Sequence, residues 1–238
     1  MKNVNELVGL TYEDENGKDY QIVGIKDVTE DYVTLDIELV QEEKINFKNK
    51  AILNIGHGNT INSNGQKVYD SGAVGNGFEE HQWNKDFVNN YVVPECKRQG
   101  VPYMVIIQSE RFSKLAGEIN KISTKDDIII SFHLNSADSK TATGVETFYY
   151  PGSSKGKELA QLMLNANLKA TNLFSRGIKA NVEGARGHAL FKNTKGVVTL
   201  LETGFISNTT DMKILEANKQ KLAVNYVTAI KEYLTKYN

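Results

Sequence analysis

Two histidines and a glutamate stand directly after three apolar runs. Residues 51–55 run into Gly56-His57-Gly58, residues 128–132 into His133-Leu134-Asn135, and residues 197–201 into Glu202-Thr203-Gly204. Near-continuous apolar runs of this length suit strands buried on both faces of a largely parallel sheet. Open α/β sheets build their sites at the carboxyl ends of such strands, so the three polar groups should converge. A neutral imidazole is a good zinc ligand, and a catalytic zinc takes three protein ligands while leaving a fourth position to water. Glycines on both sides of His57 permit a tight turn that lets the ring point into a cleft. A single histidine is more often a hydrogen-bonded core or surface residue. Here two of only four, His57, His81, His133 and His188, occupy equivalent strand ends, which shifts the balance towards chemistry.

A third ligand should be a carboxylate, and Glu79 and Glu80 open the helical stretch expected over residues 79–98. Glu80 is followed at +3, +7 and +11 by Trp83, Phe87 and Tyr91, which puts it on the apolar face. A carboxylate there is costly unless paired or metal-bound, whereas Glu79, about 100° around the helix, is explained by the helix dipole alone. Glu80 is therefore the expected ligand. Glu202, at the end of an apolar run and beside a metal-activated water, has the type and place of a general acid/base; its plain alternative is a salt bridge to Arg176 or Arg186.

The elements needed to position these groups follow from pattern. Apolar runs at 51–55, 103–108, 127–134, 145–150 and 197–202 alternate with amphipathic stretches at 79–98, 112–121, 155–175 and 211–237, the signature of an α/β sheet flanked by helices. In the last stretch Ile214, Leu215, Leu222, Tyr226, Ile230 and Leu234 recur near helical spacing. Residues 1–48 read differently, as short strands at 8–12, 20–25 and 32–40 with an Asn16-Gly17 turn, a small antiparallel β subdomain of unassigned role. That segment carries 12 acids against 5 bases, and residues 49–238 carry 17 against 23, so the expected boundary lies near residues 47–50.

Composition narrows the function classes. With 40% apolar and 24% charged residues in 238, the chain is a globular protein large enough for a full core. A net charge of -1 argues against nucleic acid as a partner. No apolar stretch reaches the ~18 residues of a membrane span, and the first residues lack the apolar core of a signal peptide, so synthesis in the cytoplasm without membrane insertion is expected. The single Cys96 excludes an internal disulfide and a cysteine-rich zinc site.

Taken in order, these blocks resemble the zinc-dependent N-acetylmuramoyl-L-alanine amidases of the type 3 family over residues 49–238. Gly56-His57-Gly58, Gly72-Ala73, Gly77-Phe78-Glu79-Glu80, Ser131-Phe132-His133-Leu134-Asn135, the run Gly144 to Tyr150, Arg176-Gly177 and the run Leu201 to Asn208 are similar to successive family motifs. The resemblance implies a twisted mixed sheet between helices, one zinc held by His57, Glu80 and His133, and Glu202 as acid/base. It implies hydrolysis of the amide between the lactyl group of N-acetylmuramic acid and L-alanine of the stem peptide, with the metal lowering the pKa of its water towards ~7. Peptidoglycan is then the partner, and Asn135, Arg176 and Arg186 are candidate substrate contacts. The family usually carries Asp-Pro where Asn54-Ile55 stand, so Asn54 brings no carboxylate to the layer behind the metal. With no export signal, the simplest biology is a phage or prophage endolysin released by a holin-like protein. The competing readings are a zinc peptidase cutting within the stem or crossbridge, and a wall-binding protein without turnover.

Overall fold

A computed structural model describes residues 11–13, 19–28, 33–39, 45–62, 64–108, 111–185 and 187–238. The chain divides into two compact units, residues 1–45 and 46–238. In the first, β1 (Thr11–Glu13), β2 (Asp19–Val28) and β3 (Val33–Leu39) form an antiparallel sheet in that order, with Ile22 buried and opposite Ile37. The expected Asn16-Gly17 turn, and residues 8–10, 32 and 40 of the expected strands, lie outside the described residues.

The second unit is a mixed, largely parallel sheet between helices, as the sequence pattern implied. Its strands are β4 (Ala51–Ile61), β5 (Lys67–Asp70), β8 (Tyr103–Gln108), β9 (Ile128–Asn135), β10 (Val145–Tyr149), β11 (Ser175–Ala180) and β12 (Val197–Phe205), and a separate two-stranded ladder is made by β6 (Val74–Gly75) and β7 (Phe78–Glu79). The order is β11-β10-β12-β9-β4-β5, with β8 also against β4. Strands β8, β4, β9 and β12 run parallel, and β10 opposes β12. The parallel pairing places the carboxyl ends of β4, β9 and β12 at one edge, which fixes where a site can form.

Alternation splits the sheet's residues between two cores. Leu53, Ile55, Ile130, Phe132 and Leu201 face α1 (Glu80–Phe87), α4 (Ser154–Thr171) and α6 (Thr209–Lys236). There Phe87, Phe132 and Tyr226 form a mutual edge-to-face set at centroid distances of 6.1, 6.1 and 6.2 Å. On the other face Ile52, Ile129, Val198 and Leu200 pack against Leu115 and Ile119 of α3 (Phe112–Ile122) and Leu190 and Phe191 of α5 (His188–Asn193). Along β9 this second face reads Ile129, Ser131, His133, so one stripe passes from core to site within five residues.

The single helix expected over 79–98 is one rod from residue 80 to 98 but not one α-helix. After α1 the backbone widens into a π-turn, Val88–Val92, before α2 (Val93–Arg98). Pro94 has no N–H to give to the carbonyl four residues back, and a π-turn absorbs that missing bond without breaking the rod. Helix α6 keeps the expected apolar stripe, and Asn208 caps it by accepting from Thr210 and Asp211 N–H at 2.8 and 3.1 Å.

Candidate metal centre

His57 sits inside β4 on a bulge. Ile55 pairs with Ile107 and Gly58 with Gln108, so two residues of β4 go unmatched, and His57 itself adopts φ 62°. The strain is therefore on the histidine itself, and it turns the imidazole off the strand's regular alternation. A second bulge lies in β12, where Glu202 pairs with His133 but Phe205 pairs with Asn135. Bulges concentrate beside sites because they re-aim side chains there.

Glu80 is delivered by a tight turn. Asn76 and Gly77 take φ 53° and 82° between β6 and β7, as a two-residue hairpin requires. Glu80 N–H then donates to Ala73 O while Ala73 N–H donates back to Glu80 Oε2, both at 2.9 Å. Glu80 is 4% exposed, whereas Glu79 is exposed and accepts from the Tyr69 hydroxyl at 2.8 Å. The two neighbouring acids thus divide between cluster and surface.

The donor atoms of His57, Glu80 and His133 lie within 4.8 Å of one another. Glu80 Oε1 accepts from Leu134 N–H at 3.1 Å and is 2.9 Å from His133 Nδ1 and 3.2 Å from His57 Nε2. The outer nitrogen of each ring is occupied. His57 Nδ1 meets Asp70 Oδ2 at 2.9 Å. His133 Nε2 meets Ser131 Oγ at 3.1 Å, and that hydroxyl donates to Asn54 Oδ1 at 2.7 Å, so its lone pair is turned to the ring. Each histidine therefore has its tautomer fixed from behind, with His57 Nε2 and His133 Nδ1 left to face Glu80.

Charge fits a cation here. Burial works to lower the pKa of His57, yet the hydrogen bonds and charges of Glu80 and then Asp70 raise it to about 9. Burial works to raise Glu80, but bonds from His133 and His57 hold its carboxyl well below the usual range. Space fits as well: a Cβ on Gly56 would stand 2.4 Å from the His133 ring, and one on Gly72 would stand 2.6 Å from His57 and 2.7 Å from Glu80. Two imidazoles and one carboxylate, backed by a second carboxylate and without sulfur, are a donor set that zinc accepts.

The remaining expected residues separate. Glu202 is in register with His133 on the adjacent strand and half-buried, with its Oε2 out of reach of solvent. Asn135 donates to Glu146 Oε1 at 2.8 Å and its own Oδ1 accepts from Ser136 N–H at 2.8 Å. Arg176 donates to Glu146 Oε2 at 2.8 Å, so its carboxylate partner is Glu146. Arg186 lies outside the described residues. His81 donates to Gly56 O and His188 to Asn181 O, each at 2.8 Å, and these two serve backbone geometry.

Sequence reasoning passed over Asp70, Glu146 and Lys179. Asp70 precedes the Gly72-Ala73 block by two residues and lies on β5, a short exposed strand without the apolar run that marked the others. Glu146 is inside a recognised motif, but its alternation on β10 gave no sign that it would be buried beside Glu202.

Comparison with known proteins gives a consistent family. The sequence model described as N-acetylmuramoyl-L-alanine amidase matches residues 52–232. The N-acetylmuramoyl-L-alanine amidase LytC of Bacillus subtilis (strain 168) is 32% identical over 161 residues, covering 65% of this chain and 30% of LytC. The probable cell wall amidase LytH of Staphylococcus epidermidis (strain ATCC 12228 / FDA PCI 1200) is 25% identical over 198 residues, covering 77% of this chain and 64% of LytH. The chain thus spans less than two thirds of either relative. An N-acetylmuramoyl-L-alanine amidase from Clostridium difficile 630 shares the fold at TM-score 0.63 and 22% identity, over 79% of this chain and 97% of that one. The catalytic domain of CwlV from Bacillus (Paenibacillus) polymyxa var. colistinus does so at 0.62 and 24%, over 79% and 98%.

Proposed function

Because the chain belongs to the N-acetylmuramoyl-L-alanine amidase family, we propose that it hydrolyses the amide between the lactyl group of N-acetylmuramic acid and L-alanine of the stem peptide in peptidoglycan, using zinc held by His57, Glu80 and His133. One observation carries the reading: three donors from β4, the start of α1 and β9 converge within 4.8 Å, with the outer nitrogen of each of the two imidazoles already engaged. Zinc bound there would supply a Lewis acid that polarises the scissile carbonyl and acidifies a water.

The chain's own residues do the rest. Glu202, in register with His133, takes the proton from the attacking water and passes one to the departing alanine nitrogen as the carbon–nitrogen bond breaks. The products are a lactyl carboxylate and a stem with a free amino terminus. Asp70 and the Ser131–Asn54 pair keep the two rings turned inwards. Arg176, with 34% of its side chain exposed, keeps donors for a substrate beyond those it gives to Glu146 and Thr143. Asn135 instead positions Glu146.

The test is the mass of fragments released from a defined muropeptide. The amidase reading predicts intact stems beginning with L-alanine, and Glu202→Gln should lower the rate by at least about 100-fold while zinc content is unchanged. Fragments cut inside the stem would establish a peptidase instead, and undiminished turnover by the variant would remove Glu202 from its role.

A further inference from the structure

The cluster around Glu146 that holds Arg176 also holds a second cation, Lys179, to which that chemistry gives no part. Glu146, 5% exposed, accepts from Asn135, from Arg176 Nε and from Lys179 Nζ. A buried carboxylate needs one cation to offset it, and here Glu146 has two, one positive charge more than it cancels, with Glu202 the next carboxylate along the row. That excess is turned outwards: the side chains of Arg176 and Lys179 are 34% and 42% exposed against 7% for Glu146. Neither cation is loose, since the Arg176 guanidinium lies 5.0 Å over the Phe205 ring and Lys179 Nζ 6.0 Å over Phe148. Arg176 gives one N–H to Glu146 and Nη1 to Thr143 O, and the fork has five.

Position ties this charge to the reaction. Glu146 pairs with Glu202, which pairs with His133, so the three lie in one row across β10, β12 and β9. Two strand spacings are about 10 Å, a span that an extended peptide covers in about three residues. We propose that Arg176 and Lys179, carried on Glu146, form a carboxylate-binding subsite for the first residues of the stem peptide, and that it makes the enzyme favour stems with free carboxylates over amidated ones. This rests on the amidase reading and adds to it the chemical form of the preferred substrate.

The zinc-loaded enzyme is given two muropeptides of identical sequence, one with free side carboxylates in the first three stem residues and one with carboxamides there. KM should be about five- to tenfold lower for the carboxylate form, as two partly exposed charge contacts allow. In Lys179→Met that ratio should fall towards one, and in Lys179→Arg it should persist, which a merely structural ion pair would not produce. Equal KM values in the unaltered enzyme, or an unchanged ratio in Lys179→Met, would overturn the subsite while leaving the amidase reading intact. Release from neither substrate would overturn both.

Discussion

At the scale of single residues, the centre depends on what stands behind each ligand. Asp70→Asn keeps a hydrogen-bond acceptor for His57 Nδ1 but removes the charge, and loss of such an outer partner weakens metal binding by about 10- to 100-fold. Chelator competition should find that loss with the melting temperature of the metal-free protein little changed; equal zinc affinity would show that Asp70 does not support His57. Gly56→Ala should be harsher, because its Cβ would meet the His133 ring at 2.4 Å, so zinc binding should fall below detection at micromolar metal. Much of this centre was readable beforehand. His57 and His133 announced themselves by strand-end position, and Glu80 over Glu79 by helical face. Asp70 was not readable, because its role depends on a hairpin partner strand with no apolar signal of its own.

At the scale of elements, strand alignment must hold the site, and Asp127 is where it is pinned at the far end. Its carboxylate, 1% exposed, accepts from Lys50 N–H, Lys50 Nζ and Thr124 N–H at 2.8, 2.9 and 2.7 Å, and its carbonyl accepts from Val197 N–H at 3.0 Å. One residue thereby ties the starts of β4, β9 and β12. Burial acts to raise its pKa, but these donors outweigh it and lower the folded value. Its stabilisation is then complete above the unfolded value of about 3.9 and drains away as pH falls through the lower folded value. Asp127→Asn should cost about 2 kcal/mol at pH 7 and flatten the acid limb of the stability curve, read by denaturant unfolding between about pH 2 and 7. An acid limb as steep as before would assign the loss to other carboxylates. Five of the seven sheet strands followed from the apolar pattern; β5 and β11 did not, because neither carries a buried apolar run, and nor did the two bulges and the π-turn, each a register choice that only cross-strand pairing or Pro94 imposes.

At the scale of the whole molecule, charge is partitioned along the chain. Residues 49–238 hold 23 bases against 17 acids, a surplus suited to an anionic polymer. Binding to purified wall should weaken as salt rises from about 0.05 to 0.5 M, where the screening length shrinks severalfold. Salt-independent binding, measured by sedimentation with the wall, would place recognition in uncharged contacts. Among the described residues no helix is long and apolar enough to cross a membrane.

The most direct measurement is zinc-edge X-ray absorption on the loaded protein, with metal counted per chain. About one zinc with two imidazole nitrogens and a carboxylate oxygen in its shell is predicted, the shell losing a nitrogen in His57→Ala or His133→Ala. Substoichiometric zinc, a sulfur neighbour, or a shell unaltered by both substitutions would contradict the account.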